Sequence, residues 1–560
     1  MMINFEYTLG FMDYAALVVI VAIYFILTIY LNTRVNSKVN KNLSASNSEW
    51  NVKEKDENFF SVALSNIVKY SSWMILLGIC SDAYENGIQF LIFFFVGSAF
   101  MTIFMNFIII PIFHESEVST LSQYFEQRFD DIKIRIFSSV TSIVYHIFLI
   151  SISIYTLTLV LSVVMNVNFF ILASVLLTIY IIIFITCYRR IKAHTWTNVI
   201  SILMTCGFIG LILIKRVINF GGFSVIWKMN WENGKIGMPG FNLNPRIRET
   251  MWSLMIGGFF WFTALNTNGK SIKKWIKLKE KGEFKKSMII YLIGTLIVTI
   301  LCTFLGMLTY AAFQNSNSIM SNKLLTQLLM KNFNQAPAVT GIFISIIFLS
   351  TFNYVSCELR TIRGIVNENV RKVFLIDTKT MDVTIMRLTA IIVSILSILL
   401  IPLLENSTSS LLELTISIPF TFIGSTLGIL IIGIMIPWIG RRATFYGSVI
   451  ALFMMIYYVM MAEIDFSERK LVSNSTEIHM KLIGNDKQQF NYISSYYFLP
   501  SSVVLTCINA FILSFIFGFE KSIHINPKNF APFMRNFISH HQVIENGSSD
   551  SNLILNDEEH

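Results

Sequence analysis

Charged residues are scarce in this chain. Asp, Glu, Lys and Arg make up 14% of its 560 residues, where a soluble protein carries about 25%. That deficit excludes a wholly water-facing surface. With 54% hydrophobic residues and a mean hydropathy of +0.62, much of the exterior must face lipid. Cysteine is sparse too: Cys80, Cys187, Cys206, Cys302, Cys357 and Cys507 are scattered, nearly all in apolar runs. Without a CxxC pair or a Cys/His cluster, neither a disulfide framework nor a zinc site is indicated. Catalytic motifs are missing as well. There is no HExxH, GxSxG or Walker A loop, and the eight histidines do not cluster at ligand spacing. His540 and His541 read as a solvated pair, and the chain does not read as an enzyme. A cleavable leader is not evident: the first apolar run, 14–32, is too long and lacks a basic flank and a small-residue cleavage site, so it reads as a retained helix.

What the chain has is a succession of apolar runs near the ~20 residues that a membrane-crossing helix needs. Thirteen stand out, at 14–32, 59–80, 88–112, 135–162, 167–186, 195–216, 250–267, 287–312, 338–360, 387–403, 411–436, 444–462 and 497–518. The predicted fold class is an all-α multi-pass membrane protein with 13 transmembrane helices. Lys and Arg collect in alternate loops: 33–58, 187–194, 268–286 with eight lysines, and the Arg441–Arg442 turn. The intervening short loops 81–87, 163–166 and 404–410 have none. By the positive-inside rule the N-terminus is extracellular and the C-terminus cytoplasmic; only loop 217–249 dissents. The net charge of +9 is therefore lysine facing one side of a lipid bilayer, not a nucleic-acid surface. Asn406 and Asn474 begin sequons in predicted outside loops and are glycosylation candidates. The polar tail reads as flexible.

Three ionisable residues draw attention within or beside the runs: Lys69 in the second, Glu358 and Arg360 near the end of the ninth. A charge in the bilayer core costs at least ~2.5–3.5 kcal/mol, so it faces a cavity or a partner. Lys69 reads as a site lysine or a structural ion pair, and Glu358 with Arg360 as an ion pair at the membrane rim. Lys69 sits among Ser65, Asn66, Tyr70, Ser71 and Ser72, and the ninth run holds Ser350, Thr351, Asn353 and Ser356. Such polar runs suit an interrupted or cavity-lining helix, whose freed carbonyls and hydroxyls can replace a cation's water shell. They equally serve as helix–helix contacts.

Several short motifs then resemble, in order, those of the sodium/solute symporter family. Leu77-Gly78 with Ser81-Asp82-Ala83-Tyr84 and Gly87 resembles its Leu-Gly-x-x-Ser-Glu-Ala-Tyr-x-x-Gly. Tyr124-Phe125-Glu126-Gln127-Arg128-Phe129 is similar to its Tyr-Phe-Glu-x-Arg-Phe. Lys192-Ala193 with Trp196-Thr197, Arg248-x-Thr250-x-Trp252-Ser253-Leu254 with Gly257-Gly258, Leu349-Ser350-Thr351 and Ile493-Ser494-Ser495-Tyr496-Tyr497 complete the set. The branch it looks like is the animal one carrying anions, monocarboxylates and vitamins. The resemblance implies a LeuT-type fold with five-plus-five inverted repeats. It implies a core over 59–436, a peripheral helix at 14–32 after an extracellular stretch 1–13, two more peripheral helices within 444–518, and a tail at 519–560. It places a sodium site on carbonyls of Val68, Ser71 and Ile347 and hydroxyls of Ser350 and Thr351, and substrate against Lys69, Tyr70, Ser72 and Trp261.

The chain departs from the family where it matters. Lys69 stands where a small neutral residue is usual, and an ammonium there can repel sodium, replace it, or pair with an anionic substrate. Glu358 is a possible neutraliser. The Asp of Trp-Thr-Asp is Asn198, and paired glycines before Lys-Ala are Arg189 and Arg190. Met74 and Ile75 replace polar contacts of sugar carriers, which disfavours sugar. Three readings follow: a sodium-coupled symporter of a small anion, with Na+ as co-substrate; a sodium-independent facilitator or exchanger using Lys69 as its fixed charge; and a non-transporting ligand sensor.

Overall fold

The computed structural model describes residues 10–40, 58–70, 72–165, 167–187, 194–278, 281–313, 338–374, 379–406, 410–476, 493–520 and 527–535. These are almost wholly helical, with one isolated bridge, Gly240 to Thr250. In chain order the helices are α1 (Phe11–Asn40), α2 (Phe59–Tyr70), α3 (Trp73–Asn86), α4 (Leu91–Glu115, with a π-helical stretch at Met105–Ile109), α5 (Leu121–Phe129), α6 (Ile132–Met165), α7 (Phe169–Cys187), α8 (His194–Asn219), α9 (Phe223–Glu232), α10 (Met251–Thr267), α11 (Lys270–Ile276), α12 (Lys281–Ala312), α13 (Val339–Phe374), α14 (Lys379–Asn406), α15 (Leu411–Met435), α16 (Arg441–Thr476) and α17 (Phe498–Phe517).

All thirteen predicted runs fall on helix. By length and composition, nine helices among the described residues can cross a membrane, and ten if α2 and α3 are one bent span. The count of thirteen is therefore not reproduced by that test. The runs at 14–32 and 167–186 give shorter apolar stretches, Phe11–Ile26 and Phe169–Tyr180, and 250–267 gives the 17-residue α10.

Burial sorts the spans. In α6 and α13 83% of the apolar window is buried, and in α15 78%, against 28% in α8 and α16 and 33% in α14. The first three form the centre. The last three turn residues such as Leu203, Leu211, Ile395, Leu399, Phe453 and Tyr457 outward, as a lipid-facing helix should. Helix α1 leans on α13. Buried Asp13 accepts from Gly341 N at 3.3 Å, a carboxylate on the first turn of a helix whose exposed N–H groups favour negative charge. Tyr24 OH bonds Asn353 lower on the same helix. Small residues set the closest crossing. Gly97 of α4 and Gly258 of α10 touch backbone to backbone, leaving no room for a Cβ on either, the close approach that only glycine permits between membrane helices.

Capping boxes start α10 and α15. Thr250 and Ser253 exchange bonds of 2.9 and 3.1 Å, and Ser410 and Glu413 bonds of 3.2 and 3.3 Å, each satisfying helix-end donors. The tail differs from expectation in one part. Pro527–Arg535 is ordered against the body: Tyr124 OH donates to Asn529 O at 2.9 Å, Ala531 N donates to Ile434 O at 3.2 Å, and Phe530 is fully buried. Its apolar side chain has core to enter, which the polar composition around it hides.

Candidate functional site

Two helices break near the centre. The first break separates α2 from α3, which are bent 58° from one another; Ser72 there is extended, at φ −64° and ψ 145°. The second separates α10 from α11. Gly269 carries that turn at φ 58° and ψ −131°, a conformation open to glycine and strained for other residues.

Aromatic rings converge on these breaks. Tyr70, buried, stacks on Phe262 (5.9 Å between centroids) and meets Trp261 and Phe94 edge-on. Its hydroxyl pairs with Thr299 of α12. Trp261 also touches Phe93 and Phe420. Around the first break and in this box, buried polar atoms are satisfied by no described residue: both amide atoms of Asn66, Ser72 Oγ and Trp73 Nε1 along the broken helix, and Trp261 Nε1 in the box. Buried polar atoms are nearly always hydrogen-bonded, so water or a small polar ligand suits the place. Tyr70 and Trp261, two of the residues expected at the substrate, are in ring contact, and Ser72 stands two positions beyond Tyr70 at the break.

Of the candidate cation residues, Val68 lies on α2 and Ile347, Ser350 and Thr351 on α13, which packs against α3 just past the break. Trp73 and Phe343 pack with centroids 5.7 Å apart. Ile347, Ser350 and Thr351 follow Phe343 at i+4, i+7 and i+8, so all share its face. All three are buried. Among the described residues neither the Ser350 nor the Thr351 hydroxyl makes a hydrogen bond, whereas Ser345 and Thr361 on the same helix bond back to Gly341 O at 2.6 Å and Cys357 O at 3.0 Å. Two hydroxyls are therefore left uncommitted. Val68 is half-buried in the last turn of α2. Ser71, Arg189 and Arg190 lie outside the described residues, as do the side chains of Asn198, Asn406 and Asn474.

Lys69, half-buried, donates to Ser271 Oγ of α11 at 3.3 Å, and no carboxylate pairs with it among the described residues. Glu358 corrects the expectation placed on it. It pairs with neither Arg360 nor Lys69; it meets His146 Nδ1 of α6, both side chains fully buried. Arg360 turns back to Ser356 O at 2.9 Å. His146 is a mid-run histidine in 135–162, and a polar residue at that depth is the signal sequence reasoning passed over.

At the far end of α3 an ion cluster closes over the bundle. Arg248 reaches Asp82 Oδ1 at 2.9 Å and Glu413 Oε1 at 2.8 Å. Glu413, missed in the sequence, also serves the capping box of α15 through its other oxygen. Opposing carboxylates hold the Arg248 guanidinium well above its ordinary range despite burial. Glu249 beside it is pushed up to about 8, by burial first and then by the Asp82 charge. At the opposite end Arg128 binds Glu520 at 3.2 Å, Pro437 O at 3.0 Å and the Phe530 ring at 4.5 Å.

The structure is a many-span helical bundle in which one span is broken between Tyr70 and Trp73, a feature that membrane proteins tolerate where backbone lines a cavity. The sodium:solute symporter family profile matches residues 57–451, and the chain belongs to that family. Its fold is similar to that of a Na+-coupled sialic acid symporter in an outward-open, substrate-bound state, with a TM-score of 0.69 at 18% identity over 91% of this chain and 98% of that one. In sequence it is 27% identical over 319 residues to the human sodium-coupled monocarboxylate transporter 1, covering 56% of this chain and 52% of that protein. It is 23% identical over 504 residues to the mouse sodium-coupled monocarboxylate transporter 2, covering 86% and 80%. It is 22% identical over 318 residues to the human sodium/iodide cotransporter, covering 56% and 49%. The chain spans about half the length of the human relatives it matches.

Proposed function

We propose that this protein is a sodium-coupled symporter that moves a small organic or inorganic anion across the plasma membrane by alternating access, and that it does no covalent chemistry. The observation that carries the reading is the uncommitted hydroxyl pair Ser350–Thr351 on the face that packs beside the first break. Oxygens with no hydrogen-bond partner among the described residues, together with carbonyls freed where a helix stops, suit a small cation. In this reading sodium is held by the carbonyls of Val68, Ser71 and Ile347 with those two hydroxyls. The anion lies in the box of Tyr70, Ser72 and Trp261, with Lys69 as its counter-charge. That monocarboxylate and iodide carriers are among its relatives supports an anionic solute. In this reading the ten apolar runs over 59–436 form the transport core, flanked by 14–32 and 444–518. The N-terminus faces outward and the 519–560 tail the cytoplasm, which puts Asn406 and Asn474 on the glycosylated side.

A second reading rests on Lys69 itself. An ammonium in the last turn before the break, with no carboxylate on it among the described residues, can supply the positive charge that sodium would bring, giving a sodium-independent facilitator or exchanger. Uptake of labelled small anions and neutral solutes into proteoliposomes, in sodium and in choline, separates the two for wild type and Lys69→Ser. Sodium-dependent anion uptake by wild type supports the symporter. Equal uptake in choline, with sodium dependence appearing only in the variant, overturns it in favour of the facilitator.

A further inference from the structure

Among the described residues, the buried and half-buried ion pairs are built almost entirely on arginine. Arg128 meets Glu520, Arg135 meets Glu126 and Glu368, Arg248 meets Asp82 and Glu413, and Arg535 meets Glu115. Arginine keeps its proton at every accessible pH. The most deeply buried pair departs from that choice: His146 with Glu358, each with no side-chain exposure. Histidine is the side chain whose ordinary titration falls in the physiological range.

The pair is also placed at the moving parts of the carrier. Glu358 lies seven residues beyond Thr351 on α13, two turns or about 10 Å along the same face. His146 lies against the second break. A Cβ on Gly269 would stand 3.3 Å from His146 Nε2 and 2.6 Å from Thr361 Cγ2. One turn earlier on α6, Ser142 Oγ donates to Asn268 Oδ1 at 3.3 Å. Two residues past Gly269, Ser271 takes the hydrogen bond from Lys69. His146 therefore lies directly against the hinge at Gly269, two residues before the serine that Lys69 reaches.

We propose that His146 and Glu358 form a proton-binding site, separate from the candidate sodium oxygens, whose occupancy biases the position of the Asn268–Gly269 hinge. The proposal rests on the carrier reading for its role in transport, but proton binding itself does not. The pair holds one proton while neutral overall, as imidazolium with carboxylate or imidazole with carboxylic acid. Losing that proton leaves an imidazole beside a carboxylate, and a buried carboxylate is better held by a proton-bearing ring than by a neutral one. The proton stays bound while the site is dry and exchanges when rearrangement at the break hydrates it. The titratable and charged neighbours are Tyr145 on α6, and Tyr354 and Cys357 on α13. Lys69 is linked through Ser271 from α2, and Arg360 is turned to Ser356 O. Packed from α10–α11 are the neutral Asn268 and Gly269, and from α15 Phe420 against Tyr145.

The test uses the full chain reconstituted in lipid. Infrared difference spectra between about pH 5 and about pH 9, a range that brackets histidine, are recorded for wild type, Glu358→Gln and the double variant His146→Gln/Glu358→Gln. The double variant keeps a neutral hydrogen-bonded pair and avoids leaving one charge stranded. The expected result is a buried imidazole–carboxyl titration in wild type that is absent from both variants. Identical titration in all three overturns the proposal, as does a wild-type spectrum without such a transition, which needs no variant to fold. In parallel, sodium-driven uptake is measured against lumenal pH. Wild type is expected to change about tenfold over that range and the double variant to stay flat. A pH-independent wild type overturns the hinge role. Absence of uptake of every solute at every pH sinks the carrier reading, while the spectra still decide the proton site.

Discussion

Lys69, in the last turn before the first break, donates to Ser271 in the first turns after the second break, at 3.3 Å. Lys274 returns the gesture to Ser65 on α2. Two short helices, with Lys69 and Ser271 202 positions apart in sequence, are thereby clasped by ammonium–hydroxyl bonds, with no carboxylate on Lys69 among the described residues. A clasp of that kind holds without a permanent ion pair and leaves the Lys69 charge available to whatever occupies the neighbouring site.

Replacing Lys69 with serine should therefore change ion affinities in opposite directions. Two like charges about 4 Å apart repel by ~4 kcal/mol at an effective dielectric of about 20, and partial exposure reduces this. Apparent affinity for sodium is expected to rise by about tenfold, the equivalent of ~1.4 kcal/mol, while affinity for an anionic solute falls. Initial uptake rates against sodium and solute concentration check it. An unchanged sodium dependence would place the Lys69 charge away from the cation.

The Arg248 cluster should be the least forgiving site at its end of the bundle. Arg248→Gln strands Asp82 and Glu413, and removing one partner of a buried ion pair costs about 3–5 kcal/mol. Arg248→Lys should rescue little, since one ammonium lacks the planar fork that serves both carboxylates. Thermal unfolding in detergent micelles reads both. A lysine variant as stable as wild type would mean that the fork is not needed.

Stability should also fall as the pH rises past neutrality, through Glu249. Its folded-state value, about 8, lies above the ordinary 4.5. Between those values the folded protein binds the proton that the unfolded chain has lost, so stability declines from about pH 4.5 upward and levels off above about 8. Glu249→Gln, which mimics the protonated form, should flatten that limb and raise the unfolding temperature at alkaline pH. Scans at several pH values in the two proteins test this; parallel curves would exclude Glu249 as the cause.

Phe530→Ala should loosen the docked stretch of tail without disturbing the spans. The ring is fully buried and covers Arg128, and deleting a buried phenylalanine side chain costs ~3–5 kcal/mol, enough to undock a short segment. Limited proteolysis from the Arg128 side should then cut near 527–535 much faster than in wild type. Equal cutting rates would mean that the hydrogen bonds of Asn529 and Ala531 suffice.

Much of this protein is decided by the sequence alone, because a lipid solvent demands a local property. About 20 apolar residues in a row make a span whatever lies elsewhere, and all thirteen runs fall on helix. The polar stretch around Ser71–Ser72 and the hydroxyls of Ser350 and Thr351 are likewise visible, since polarity inside a span is rare enough to stand out. What the tertiary structure decided is partnership. Glu358 is separated from His146 by 212 positions and Arg248 from Asp82 by 166, and no local pattern says which cation a buried carboxylate will meet. Lys69 proved to face Ser271 and not an acid, and Phe530 proved to be core inside a polar tail. Those outcomes depend on how the helices cross, and crossings are set by side-chain shape and close contacts, such as Gly97 against Gly258, summed over the whole bundle.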